Sequence, residues 1–147
     1  MEFGVVNFSN ACILVMMLIP NVIYALRGGE GNKTDSRFLA LTEQLGRYGA
    51  MVLMVFPVGV REFGFPNVLS LFAYVLGNCV LLLAYLVIWV LYFRRKTKAL
   101  AMVLAVIPVC IFMLCGVCLH HWLLVLFSTL FAVGHILITR QSASQIN

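Results

Sequence analysis

The sequence predicts an all-α integral membrane protein, a five-transmembrane-helix bundle with its N-terminus outside and its C-terminus in the cytoplasm. Composition and the placement of charge carry that expectation. Of 147 residues, 63% are hydrophobic and 10% charged, whereas a soluble domain averages about 45–50% and about 25%. The ten Lys and Arg residues stand between apolar runs instead of forming one patch, so the net charge of +5 reads as membrane topology and no nucleic-acid partner is expected. A crossing needs about 20 apolar residues. Five crossings use most of a single membrane domain of this length.

The first apolar run, residues 3–26, carries Glu2 where a signal peptide has a basic region, is too long for one, and has no A-x-A site after it. It is expected to stay as a helix. Gly28, Gly29 and Gly31 mark a flexible turn. An interfacial helix over 35–46 mixes charges with Phe38, Leu39, Leu41 and Leu45, a period suited to the membrane surface, and runs into a second span over 45–60. Arg61-Glu62-Phe63-Gly64-Phe65-Pro66 forms a loop, and Pro66 suits the first turn of the third span, 67–93. The basic run from Arg94 to Lys98 precedes the fourth span, 99–119. His120 and His121 then form so short a link that the fifth span, 122–139, must pair with the fourth as an antiparallel hairpin. The tail, 140–147, is polar and expected to fray.

Orientation follows from basic residues, which stay cytoplasmic in short loops. Arg27, Lys33, Arg37, Arg47, Arg94, Arg95, Lys96, Lys98 and Arg140 fall on one side of a five-span topology, and only Arg61 on the other. Four or six spans would break that alternation. Tyr24, Tyr48, Trp89 and Tyr92 fall near the inner boundary and Trp122 near the outer one, where aromatic rings favour the headgroup level. Asn32-Lys33-Thr34 matches a glycosylation pattern but falls in a cytoplasmic loop, which makes the match fortuitous. A plasma or bacterial inner membrane is the expected location.

The residues that could carry chemistry are few. Cys115-Gly116-Val117-Cys118 sets two sulfurs one helical turn apart, a spacing open to thiol redox, with His120 and His121 just beyond. Structural zinc needs about four ligands, and Cys115, Cys118 and His121 supply three at most, so no metal or other cofactor is assigned. The position of the pair resembles the C-x-x-C of the membrane vitamin K epoxide reductase family, near the outer end of a bundle helix. That resemblance covers four residues, and the family's second cysteine pair has no counterpart outside the apolar segments here. The plainer reading is cysteine packed as a small hydrophobe.

A second set is polar and intramembrane: Asn7, Asn10, Asn21, Asn78 and His135. Side-chain amides in hydrocarbon need partners, so they face other helices or a wet cavity, and Asn10 and Asn78 lie at similar depth. Pro20, Pro57 and Pro108 stand inside predicted helices and free backbone carbonyls there. Glu43 and Arg47 form an i, i+4 pair in the favourable order near the inner boundary, suited to easing a charged turn into headgroups or to binding an anion. Gly46, Gly49, Gly77, Ser128, Ala132 and Gly134 permit close helix approach.

Three functional classes fit these residues. The first is a transporter- or channel-like protein whose path uses Asn10, Asn21, Asn78 and His135, with Glu43 and Arg47 as further candidates. It would work as a homo-oligomer or through a groove open to lipid, because five helices enclose too little for a wide pore. The second is a membrane thiol-redox enzyme using Cys115 and Cys118. The third is a non-catalytic membrane subunit or lipid-binding protein. Enzymes of the soluble kind find no support, since no phosphate, zinc, nucleophile-elbow or dinucleotide motif occurs. Arg94, Arg95, Lys96 and Lys98 are expected to meet anionic lipid.

Overall fold

The computed structural model describes residues 6–31, 33–59 and 64–145. It contains five α-helices in those segments: α1 (Phe8–Leu26), α2 (Arg37–Val55), α3 (Val68–Arg94), α4 (Lys98–Cys118) and α5 (Trp122–Ala143). Of these, α1, α3, α4 and α5 are long and apolar enough to cross a membrane. The remaining helix, α2, has 19 residues and carries Arg37, Glu43 and Arg47 in its first three turns, which leaves only its second half apolar.

Every helix opens on a side chain that accepts from a backbone N–H of the first turn, satisfying a donor the helix itself cannot. Asn7 accepts from Asn10 at 3.1 Å, Ser36 from Leu39 at 3.3 Å, and Asn67 from Ser70 at 2.8 Å. Thr97 accepts from Leu100 at 3.3 Å, and His121 Nδ1 from Leu124 at 3.1 Å. These caps define the helix starts more sharply than hydropathy does.

Side-chain contacts give the relative directions. Asn10 meets Tyr74 and Asn21 meets Tyr85, so α1 runs parallel to α3. Asn10 also reaches the Met54 carbonyl and the Asn7 N–H reaches that of Val55, making α1 antiparallel to α2. Gly46 lies against Phe131, Gly49 against Phe127 and Gly134 against Glu43, so α2 and α5 are antiparallel and closely packed. Only residues 95–97 separate α3 from α4, which turns the chain back on itself, and Gly116 against Val125 with Phe112 against Phe131 makes α4 and α5 antiparallel as well. The chain therefore runs up and down through all five helices.

Half of the apolar stretch of α4 is buried inside the protein, against 17% of that of α1. Helix α4 is thus the central element and α1 a peripheral one. Ile111, Phe112 and Cys115 of α4 pack with Leu119, Leu124 and Phe131 in the core. On α3, Leu69, Phe72, Leu76, Val80, Leu83 and Val87 form one exposed apolar stripe at helical spacing. Tyr74, Asn78, Tyr85 and Trp89 occupy the opposite, buried face. An apolar exterior around a partly polar interior is the pattern expected of a helical bundle in lipid.

Several expected boundaries differ. The interfacial helix and the second span form one continuous helix, which ends at Val55 instead of residue 60, so Pro57 follows the helix instead of interrupting it. Pro20 and Pro108 do lie inside α1 and α4. Helix α1 begins at Phe8 because Asn7 caps it, while residues 3–5 of the expected first span lie outside the described residues, as do residues 60–63 and Asn32 of the glycosylation pattern. At the other end, α5 continues to Ala143 past the expected stop at 139. The reason is a tertiary tie: Ser142 bonds both the N–H and the carbonyl of Lys33, and Thr34 donates to Gln141. The 27–34 turn uses Gly28 at φ 75° and is held to α5 by these bonds.

Candidate functional site

The bundle contains a cavity of about 460 Å³ to which all five helices contribute, within the roughly 300–1,000 Å³ range of small-ligand sites. Its mouth lies where Glu30 and Gly31 of the 27–34 turn and Gln44 of α2 are exposed, and Leu18 and Asn21 of α1 are exposed along its side. Its inner end is apolar, formed by Leu14, Met51, Pro108, Phe112 and Phe131. One wall is aromatic. Trp89 sits 5.5 Å from Tyr24, 5.7 Å from Tyr92 and 6.3 Å from Tyr85, centroid to centroid, in tilted and edge-on pairs.

Opposite that wall stands a charged cluster that local sequence alone does not assemble. The Arg47 guanidinium pairs with the Glu43 carboxylate one turn before it on α2, and His135 of α5 approaches the same oxygen, Oε1, at 2.8 Å. Glu43 is nearly buried because Gly134 has no side chain to hold α5 away. An ionised carboxylate can only accept, so Nδ1 of His135 carries the proton in this contact. The imidazole also stacks on Phe131 at 4.6 Å, which fixes its plane. Oε1 of Glu43 is thus held by a guanidinium and an imidazole N–H together.

Asn21 lines the same cavity, its amide donating to the Met17 carbonyl and to the Tyr85 hydroxyl, both at 2.8 Å. The Trp89 indole N–H stands beside the Tyr85 hydroxyl without a hydrogen bond of ordinary geometry. At the rim, Lys96 lies 5.4 Å above the Tyr24 ring and Arg27 lies 5.2 Å above Phe93. Glu30 at the mouth is paired with Lys33 at 3.1 Å.

Asn10 and Asn78 lie elsewhere. They share a second polar layer nearer the Asn7 end of α1, separated from Asn21 by about 16 Å of helix at 1.5 Å per residue. The Tyr74 hydroxyl donates to Asn10 Oδ1 at 2.5 Å, Asn10 donates to the Met54 carbonyl at 2.9 Å, and Asn78 donates to the Tyr74 carbonyl at 2.8 Å. Cys115 completes the layer, its thiol 3.5 Å from Asn78 Oδ1. This layer closes the bundle beyond the apolar end of the cavity.

The C-x-x-C residues are both free thiols and both buried. Reactive cysteines occupy partly exposed, electropositive surroundings, which Cys115 and Cys118 lack. His121 is buried as the cap of α5. Burial, only partly offset by a backbone hydrogen bond, pushes its imidazole below the ordinary 6.5. Among the described residues no three His, Cys, Asp or Glu side chains gather as a metal site.

The residue-level candidates therefore divide. Glu43, Arg47, Asn21 and His135 meet in one cavity, while Asn10 and Asn78 belong to a separate seal. Sequence reasoning takes Tyr24, Trp89 and Tyr92 as boundary anchors and does not single out Tyr85, so the aromatic wall is missed. The Tyr85-x-x-x-Trp89-x-x-Tyr92 spacing on one face of α3 was the available signal.

Four helices able to cross a membrane, with an apolar exterior, make this chain compatible with a helical membrane protein. Comparison with protein-family models, with curated proteins and with solved structures finds no match from which a more particular identity follows.

Proposed function

We propose that the chain is a five-span membrane carrier for a small solute, held in a form whose cavity opens on the cytoplasmic side. The observation that carries this reading is the cavity's asymmetry. It is open at the 27–34 turn, apolar at depth, and sealed beyond that by the Asn10–Tyr74–Asn78–Cys115 layer. A site near mid-membrane, reached from one face at a time, is the arrangement alternating access requires.

Crossing by α2 is supported by its antiparallel course, which takes its apolar half from the level of Glu43 to that of Asn10. Five crossings then place the basic 27–34 and 94–98 turns on the same side as the C-terminus, consistent with the rule for basic loops. Arg94, Arg95, Lys96 and Lys98 are all exposed at that level and suit anionic headgroups. A plasma or bacterial inner membrane is the proposed location.

Cysteine accessibility tests the reading. Gln44→Cys at the mouth and Met51→Cys at depth are treated with an impermeant maleimide in vesicles of known orientation, with the wild-type chain as background. Both positions are expected to label from the mouth side, and Met51→Cys to label more slowly from the opposite side as well. Labelling of Met51→Cys from the mouth alone refutes a carrier. Absence of labelling from either side refutes an accessible cavity.

A further inference from the structure

We propose that the ligand of this cavity is a monocarboxylate with an aromatic or aliphatic body, its carboxylate held by Arg47. The inference rests on the cavity being a solute site and adds the chemical class of the solute.

Charge is the first argument. Arg47 is the one Lys or Arg lining the cavity among the described residues. A guanidinium presents five N–H donors in a planar fork suited to two carboxylate oxygens. Glu43 is bonded through Nη2 alone, and because Nη2 carries two N–H groups, one of the two forks of the guanidinium, Nη2 with Nη1 or Nη2 with Nε, stays available for a second carboxylate. Arg47 and Glu43 together carry no net charge and His135 gives the Glu43 carboxylate a second hydrogen-bond partner, so the cluster is not net negative before a ligand enters. The cluster holds the guanidinium in place, which makes Glu43 and His135 positioning residues.

The surrounding charge agrees. Glu30, the other carboxylate on the cavity, is exposed at the mouth and paired with Lys33, while Arg27 and Lys96 stand on the aromatic rim. A cation would meet these two basic groups at the rim and no uncompensated acid beyond them. The body of the ligand has a place as well: Trp89 and Tyr92 on one side, Met51 and Phe112 beyond. Such an acid could come from the aqueous phase or from the bilayer as a fatty acid, and the carboxylate chemistry is the same for both.

The purified full chain in nanodiscs provides the test. It contains two tryptophans, and Trp122 is exposed at the start of α5. Trp122→Phe therefore leaves Trp89 as a reporter inside the cavity. The probes are phenylacetate, laurate, phenylacetamide and phenethylammonium. At least one of the two acids is expected to change Trp89 emission saturably, and the stronger acid identifies the source. The amide and the ammonium are expected to bind about tenfold or more weakly than phenylacetate, because they lack the partner for the fork. Arg47→Gln should weaken the acid by about tenfold or more, and Arg47→Lys, which keeps the charge but not the fork, by less.

Binding of phenethylammonium as tight as phenylacetate overturns the proposal. So does an Arg47→Gln protein, folded by its thermal transition, whose acid affinity stays within about twofold of the parent. Should Arg47→Gln not fold, the Arg47→Lys protein and the probe series decide by the same criteria. If no acid binds while Met51→Cys labels from both faces, the anion class fails and the carrier reading stands. If Met51→Cys labels from neither face, the cavity reading fails with it.

Discussion

Glu43 shows how a residue's meaning changes between sequence and structure. In sequence it is the acidic half of a surface i, i+4 pair, a type worth roughly 0.3–0.5 kcal/mol. In the fold it is 7% exposed and accepts from both Arg47 and His135. Removing one partner of a buried pair strands the other, so Glu43→Gln should lower stability by about 2 kcal/mol, after allowance for the one-third exposure of Arg47. Thermal unfolding of Glu43→Gln beside the parent at pH 7 checks this, and equal transitions would contradict it. His121 carries an acid-sensitive contribution. Neutral Nδ1 accepts from Leu124, and burial lowers the imidazole below 6.5. As pH falls through 6.5 the unfolded chain takes up the proton first, so the stabilisation present above that value is lost toward the lowered one. His121→Leu should cost about 1 kcal/mol above pH 7 and abolish this acid dependence, whereas His121→Asn should retain the cap.

Among elements, the α2–α5 pair is the seam on which the site depends. A Cβ at Gly46 would run into the backbone of Phe131, and one at Gly134 would sit 2.6 Å from Glu43 Cα. Backbone cannot move aside as a side chain can. Gly46→Ala and Gly134→Ala should therefore each cost about 2–3 kcal/mol, while Gly77→Ala, which meets only the end of the Leu114 side chain, should cost under about 1 kcal/mol. Melting temperatures in one detergent would rank them, and equal losses at all three positions would contradict this picture of the seam. Gly134→Ala should in addition disturb the Glu43–His135 contact, since it separates the two helices at that level. The small residues were visible in sequence as a permission for close packing. Which helices use them was not visible, because spacing within one helix says nothing about its partner.

At the scale of the whole molecule, the apolar exterior and the antiparallel course of the helices make one prediction about topology. With five crossings the two ends lie on opposite faces. A C-terminal tag should be reached by protease only in inside-out vesicles, and an N-terminal tag only in right-side-out ones. Protection of both tags in the same preparation would show an even number of crossings and turn α2 into a surface helix. In that event the 94–98 basic run would still share a face with the C-terminus, two crossings away, but the 27–34 turn and the cavity mouth would not.

The all-helical class, the four long apolar helices and the hairpin of α4 and α5 were legible in the sequence, because apolar run length and loop length are local quantities that hydrocarbon thickness and chain geometry read directly. The positions of Glu43, Arg47, Asn21 and His135 as polar exceptions were legible for the same reason. Their partners were decided only by tertiary structure. Contacts such as Glu43 with His135 and Asn10 with Tyr74 join residues 92 and 64 positions apart, and no local period encodes a pairing at that distance. The helix ends at Val55 and Ala143 were likewise settled by what lies beside them: Asn7 and Asn10 bonded to Val55 and Met54, and Lys33 bonded to Ser142. A membrane sequence states which segments avoid water. The arrangement of its few polar groups into one open cavity and one closed layer follows from how those segments pack.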